Sequence, residues 1–145
     1  MRIVLDTNIV LVMISSKSPH HMVFRHLLDG NYRICVTTEI LNEYAEIIEE
    51  HMGSKVSEAV LEAFLALPNI EFVNVYFRFH VLADEDDNKF VDCAVASNAS
   101  FLVSEDRGFR ALKKLEFPKI EVIQLETFKK LLAQNDTNHA HSKST

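Results

Sequence analysis

The stretch Arg2-Ile3-Val4-Leu5-Asp6-Thr7-Asn8 decides the fold of this chain of 145 residues. Its run of aliphatic residues is typical of a strand that is buried on both faces of a parallel sheet. Three polar residues follow without a break, so their side chains are expected at the carboxyl end of that strand. Ligands of open α/β sheets bind outside the carboxyl ends of the strands. The opening residues therefore predict both a buried strand and a functional edge.

Outward from this stretch, strand-like and helix-like segments alternate. Further strand-like runs cover residues 32–36, 70–76, 100–103 and 120–125, and apolar residues at helical spacing lie between them. The alternation predicts a three-layer α/β/α sandwich around a mostly parallel twisted sheet of four to five strands. We expect one domain over residues 1–133, ending in a helix over 126–132, and a polar C-terminal tail over residues 134–145.

Composition narrows the function classes. The net charge of −6 argues against a large passive nucleic-acid-binding surface, which should be basic, but not against a nucleolytic site that uses metal ions. Cys35 and Cys93 lie in apolar contexts and are interpreted as buried free thiols. No apolar run has the length of a membrane span, and the N-terminal run lacks the features of a signal peptide. We therefore expect a cytoplasmic protein without membrane association.

Four acidic residues lie where apolar runs end or helices begin: Asp6, Glu43, Asp87 and Asp106. At one edge of a sheet they would form a cluster of like charges, which is unstable without a cation. Hard divalent ions such as Mg²⁺ or Mn²⁺ prefer oxygen ligands. The set predicts metal-assisted phosphodiester chemistry. Asp92 lies about 140° round the helix from Asp87 and ranks below it as a ligand.

Each acid also has an ordinary structural interpretation. Asp6 could be a turn or capping residue, and Asp87 could be an N-cap in an acidic loop. Of the glutamates on its predicted helix, Glu43 lies closest to the apolar stripe that contains Tyr44. Spacing alone nevertheless favours a solvated side chain for Glu43.

The ordered motifs resemble those of the PIN-domain family. Leu5-Asp6-Thr7-Asn8 is similar to the family's opening, and Thr38-Glu39-Ile40-Leu41-Asn42-Glu43-Tyr44 is similar to its second helix. The segments 84–94 and 101–106 complete the pattern, so that the resemblance covers roughly the first 125 residues. Many relatives carry an acidic residue where this chain has Gly108. Any role that those relatives divide between this position and that of Asp106 rests on Asp106 alone here.

The resemblance implies a divalent-metal-dependent endoribonuclease, as in the toxins of VapC-type toxin–antitoxin pairs. It places the catalytic and metal-binding residues at Asp6, Glu43, Asp87 and Asp106, with Mg²⁺ or Mn²⁺ as the cofactor. It further implies an RNA substrate, a small antitoxin partner and a homodimer. The apolar helical segments 22–28 and 56–67 offer surfaces for dimerisation.

Other polar residues near these motifs have open roles. Thr7, Asn8 and Ser104 could orient the carboxylates through hydrogen bonds or could be ordinary turn residues. Lys89, Arg107 and Arg110 could contact RNA phosphates, although solvated surface positions are the stronger expectation. The histidines lack the spacing of a metal site and are expected to be solvated or partly packed.

Two alternatives remain open at this point. The first is a haloacid-dehalogenase-like phosphatase, which also uses an aspartate after its first strand. The usual second aspartate of that family falls on Asn8, and Ser104 follows the acidic pair Asp86-Asp87 instead of preceding it. The second alternative is a catalytically silent PIN-like module that binds a protein partner.

Overall fold

The computed structural model describes the backbone of residues 1–143 and the side chains of residues 1–136. Within that part of the chain, five strands form one sheet: β1 (Arg2–Leu5), β2 (Arg33–Val36), β3 (Ile70–Phe72), β4 (Phe101–Val103) and β5 (Val122–Ile123). The strand order is β3-β2-β1-β4-β5 and each neighbouring pair is parallel. The predicted parallel sheet is confirmed, with the opening strand at its centre.

Helices flank the sheet and complete the three-layer α/β/α fold. Among the described residues they are α1 (Thr7–Met13), α2 (His21–Leu28), α3 (Thr38–Met52), α4 (Ser54–Ala66), α5 (Glu85–Ser97), a 3-10 helix (Arg107–Lys114) and α6 (Leu125–Lys143). α5 packs against β1, β2 and β4. None of the described helices is long and apolar enough to cross a membrane.

The central strand is buried because helices cover both faces of the sheet. Ile3, Val4 and Leu5 have no exposed surface, as the aliphatic run predicted. Leu5 pairs with Val103 of β4. Since both strands end at this register, the residues that follow them emerge side by side at the carboxyl edge.

Several predicted boundaries are wrong. β3 ends at Phe72, not at residue 76, and the segment up to Asp84 contains no regular element; Tyr76 there is 83% exposed. α5 begins at Glu85, so Asp87 lies within its first turn. Of this described segment, only the Val73 N–H still bonds to the carbonyl oxygen of Val36, at 2.8 Å, because β2 ends there; the later alternating apolar residues lie outside the sheet.

The last helix is longer than predicted. α6 continues to Lys143 and crosses the proposed boundary at residue 133, although the division into a domain and a tail stays a prediction. Asp136 on this helix lies 3.0 Å from His26 Nε2, with His26 only 8% exposed. The remaining side chains of the predicted tail, including His139 and His141, lie outside the described residues.

Candidate functional site

Asp6 and Asp106 lie beside each other because β1 and β4 are adjacent and parallel. The Asp6 N–H donates to the Val103 carbonyl oxygen at 3.1 Å, which continues the ladder past the end of β1. The Ser104 hydroxyl donates to Asp6 Oδ2 at 2.7 Å and accepts from the Asp106 N–H at 3.0 Å. One serine therefore links both acids, in the orienting role that the sequence left open.

Glu43 reaches the same edge because α3 is anchored to the end of β1. The Tyr44 hydroxyl donates to the carbonyl oxygen of Leu5, the residue before Asp6. The Thr7 hydroxyl, directly after Asp6, donates to Glu43 Oε2. Two consecutive residues of α3 thus bond to the two residues that flank Asp6. This attachment separates Glu43 from the other glutamates of α3, all of which are exposed.

Asp87 approaches the site from the first turn of α5. The N-cap of this helix is Asp84, whose side chain accepts from the Asp86 N–H at 3.0 Å, so capping does not account for Asp87. A Cβ at Gly108 would lie 3.5 Å from Asp87 Oδ2 and 3.3 Å from Asp106 Oδ1. The two carboxylates therefore border the same small space above Gly108.

The ionisation of the acids reflects their proximity. Burial raises the pKa of Asp6, hydrogen bonds partly oppose this, and the negative charges of Asp106 and Glu43 raise it further. Burial, followed by the charges of Asp106 and other nearby acids including Asp6, raises the pKa of Asp87 to about 6. Asp6 thus lies within electrostatic range of each of the other three predicted acids, Glu43, Asp87 and Asp106.

Lys89 was expected on the solvated surface, and that expectation is wrong. Its side chain is only 9% exposed, and Nζ lies 2.8 Å from Glu43 Oε1. Nζ also donates to the carbonyl oxygen of Asp86 and lies 5.2 Å from the centroid of the Phe90 ring. Both oxygens of Glu43 are consequently engaged, one by Thr7 and the other by Lys89. Its apolar neighbour Phe90 was the one available sequence signal for this burial.

A groove of about 370 Å³ borders the site on the side of β5. Ser104 and Asp106 line its inner end, and Arg110 and Lys113 contribute positive charge. Arg110 is exposed, in line with the stronger expectation of a solvated position, yet it lines the groove; Lys113 was not singled out by the sequence. Arg107 is exposed. The groove offers cationic side chains directly beside the carboxylates.

Asp92 has a different role from Asp87. It is 5% exposed and accepts from the Phe79 N–H at 3.0 Å. It therefore holds the irregular segment after β3 against α5. Asn8, a third possible orienting residue, is exposed.

The donor set suits a hard divalent cation. Asp6, Glu43, Asp87 and Asp106 offer only carboxylate oxygens, the ligands that Mg²⁺ and Mn²⁺ prefer. Within residues 1–136, no three acidic, histidine or cysteine side chains already stand in a metal-ligating group. The carboxylates of Asp6, Asp106 and Glu43 instead hold hydrogen-bond or ionic partners from the chain itself. Cys35 and Cys93 are buried free thiols, as predicted, and take no part.

Comparison with solved structures finds similar folds among PIN-domain proteins. VapBC2 from Rickettsia felis, bound to a DNA fragment from its promoter, gives a TM-score of 0.59 at 18% identity, covering 86% of this chain and 98% of the other. The PIN domain of human SMG5 gives 0.53 at 16% identity, covering 90% and 99%. VapC20 from Mycobacterium tuberculosis, a toxin that cleaves the sarcin-ricin loop, gives 0.53 at 14% identity, covering 79% and 97%.

No curated protein matches the sequence significantly. The sequence model of one family, described as PIN domain, matches residues 2–108. That match spans β1 through Gly108 and includes all four acids and their hydrogen-bonding partners Thr7 and Ser104. The chain therefore belongs to the PIN-domain family.

Proposed function

We propose that this protein is a divalent-metal-dependent endoribonuclease that hydrolyses RNA phosphodiester bonds. The observation that carries the proposal is the convergence of Asp6, Glu43, Asp87 and Asp106 at the carboxyl edge of the sheet. Membership of the PIN-domain family supports it and favours it over the phosphatase alternative. The pKa values of two of these acids are raised, as at sites where a cation balances clustered charge.

The proposed roles follow from the position of each side chain. Asp6, Asp87 and Asp106 would hold Mg²⁺ or Mn²⁺, and Ser104 keeps two of these acids in place. A bound divalent ion supplies Lewis acidity toward the phosphate and lowers the pKa of water. Glu43, fixed at both oxygens, would orient the attacking water.

The groove beside Asp106 supplies the remaining contacts. Arg110 and Lys113 would bind phosphates of the RNA on either side of the scissile bond. A protein with a net charge of −6 should repel RNA as a whole. The local positive charge overcomes this repulsion because only the rim of the site has to attract RNA.

RNA cleavage by the purified protein tests the proposal. We expect cleavage with Mn²⁺ or Mg²⁺ and none with a chelator, and we expect Asp6→Asn and Asp106→Asn each to lower the rate at least about 100-fold. Asp29→Asn is the matched control because Asp29 is exposed at the C-terminal end of α2. Equal cleavage by all three variants would refute the proposal. A folded protein that neither binds Mn²⁺ nor cleaves RNA would support the silent protein-binding module instead.

We also propose that the protein acts as the toxin of a toxin–antitoxin pair, with a small antitoxin partner. Two of the structurally similar proteins were crystallised as VapBC, from Rickettsia felis and Salmonella typhimurium. Expression should arrest growth, and Asp6→Asn should relieve the arrest. Growth arrest that persists in this variant would contradict a nuclease toxin.

A homodimer is the proposed assembly. α2 and α4 expose apolar side chains, including Leu28 at 44%, Val56 at 39% and Leu65 at 55%. Light scattering on the purified protein tests this, and Leu65→Glu should shift a dimer toward the monomer. A monomeric wild-type protein at micromolar concentration would contradict the assignment.

A further inference from the structure

Lys89 carries a positive charge into the middle of a site built from carboxylates. Its ammonium group lies 2.8 Å from Glu43 Oε1, and only 9% of the side chain is exposed. Burial of a lysine is costly unless its charge is paired and hydrogen-bonded. Here the carboxylate of Glu43, the carbonyl oxygen of Asp86 and the face of Phe90 all satisfy it. Such a complete set of partners fixes the ammonium group in one position.

The partner of Lys89 is held from the other side as well. Thr7 donates to Glu43 Oε2 while Lys89 binds Oε1, so the carboxylate cannot rotate without breaking one bond. Glu43 belongs to α3 and Lys89 belongs to α5. The ion pair therefore joins the helix that carries Glu43 to the helix that carries Asp87, across the end of the central strand.

We propose that Lys89 is a positioning residue that locks Glu43 in its working orientation and, as a built-in cation, weakens the binding of divalent metal at the site. This inference rests on the proposed nuclease function and goes beyond it, because it assigns a role to a residue that the proposed mechanism does not use. The small exposed fraction of Lys89 argues against a phosphate contact. Its positive charge reduces the negative charge that the cluster of acids offers to a metal ion.

Two effects of opposite sign distinguish this role from a merely structural one. Lys89→Met keeps the aliphatic stem and removes the charge, so the site becomes more negative and gains the freed Oε1. Mn²⁺ should bind about five- to tenfold more tightly, the size expected when one charge is removed near a divalent ion in a partly solvated site. The kcat for RNA cleavage should fall about tenfold or more because Glu43 loses its fixed orientation. The KM for RNA should stay unchanged.

The experiment combines a Mn²⁺ titration by calorimetry, without RNA, with steady-state cleavage. Lys129→Met is the matched control: Lys129 is also partly buried and paired with a glutamate, Glu126, at 3.2 Å, but it lies on α6. Lys89→Arg keeps the charge and should leave the Mn²⁺ affinity near the wild-type value. In a Glu43→Gln background, Lys89→Met should lower kcat little further, since its effect passes through Glu43.

Each outcome decides the proposal. Tighter Mn²⁺ binding with a lower kcat supports it; weaker binding together with a lower kcat, or results equal to those of Lys129→Met, would overturn it. A raised KM with an unchanged kcat would make Lys89 an RNA contact instead. If Lys89→Met does not fold, by circular dichroism, Lys89→Gln is measured in its place. Wild-type protein that neither binds Mn²⁺ nor cleaves RNA refutes the nuclease function itself, and the role of Lys89 falls with it.

Discussion

Replacing Asp87 by Asn should stabilise the metal-free protein, although it removes a residue proposed for function. Asp87 has a pKa raised from 3.8 to about 6, so the folded protein binds this proton more tightly than the unfolded chain does. By linkage, Asp87 costs stability as the pH rises from about 4 to about 6, and the full cost persists above that range. Asn cannot ionise and avoids this cost.

The size of this stabilisation follows from the difference between the two pKa values of Asp87. One pKa unit corresponds to about 1.4 kcal/mol, so the interval from 3.8 to about 6 would give about 3 kcal/mol for a fully desolvated group. Asp87 keeps part of its surface in water, which reduces both the burial cost and the repulsion from Asp106, Asp84 and Asp6, and we expect about 1 kcal/mol. The measurement is urea unfolding at pH 7.5 with a chelator.

Asp86→Asn is the matched control, because Asp86 lies next to Asp87 in the first turn of α5 but is exposed. Both variants lose the same favourable interaction with the helix dipole, so their difference reports the cost of burying the Asp87 charge together with the repulsion from nearby acids. At pH 4 the advantage of Asp87→Asn should nearly vanish. Mn²⁺ should raise the unfolding midpoint of the wild type and not that of Asp87→Asn. If both variants are equally stable at pH 7.5, the inferred cost of the Asp87 charge, from burial and repulsion, does not exist.

Three further substitutions test the supports of the site. Ser104→Ala should cost about 1–2 kcal/mol in unfolding free energy and weaken Mn²⁺ binding, because Asp6 loses the hydroxyl donor at 2.7 Å; unchanged Mn²⁺ affinity would contradict this role. Asp92→Asn should loosen the segment held through the Phe79 N–H, seen as faster amide exchange, and should leave Mn²⁺ affinity unaltered. Tyr44→Phe should cost about 1 kcal/mol and lower kcat by freeing α3; a kcat equal to wild type would show that this anchor is dispensable.

The central part of the fold was predictable because it depends on local patterns. A fully apolar run that ends at Asp6 indicates a buried parallel strand, and such strands end together at one edge of the sheet. That rule places Asp6 and Asp106 at the same edge, whereas their side-by-side position depends on β1 and β4 being neighbours in the sheet. The extent of β3 did not follow, because apolar alternation continues past Phe72 where no neighbouring strand remains to pair with. Pairing depends on the partner, which a local pattern does not contain.

Glu43 could not be assigned to the site from residue spacing, and only the family resemblance predicted a role for it. Spacing placed it nearest the apolar stripe yet favoured a solvated side chain, and its contact with Thr7 depends on how α3 packs against α1, which begins at Thr7. The docking of α3 is visible in the bond from Tyr44 to the end of β1, a contact between residues far apart in the sequence. Long-range contacts of this kind leave no periodic signal.

Lys89 was misplaced for a physical reason that bears on the site as a whole. A lysine beside a run of acids normally belongs to a solvated surface, because a buried ammonium group needs a charged partner. That partner is Glu43, which Thr7 of α1 holds at its other oxygen, and the packing of α3 against α5 brings Glu43 and Lys89 together. The acidic edge thus creates the one environment in which this lysine is stable when buried, and the lysine in turn offsets part of the repulsion that the acids create. Loss of either charge should therefore alter the other's position, and the coupling between Glu43 and Lys89 becomes a measurable property of the folded site.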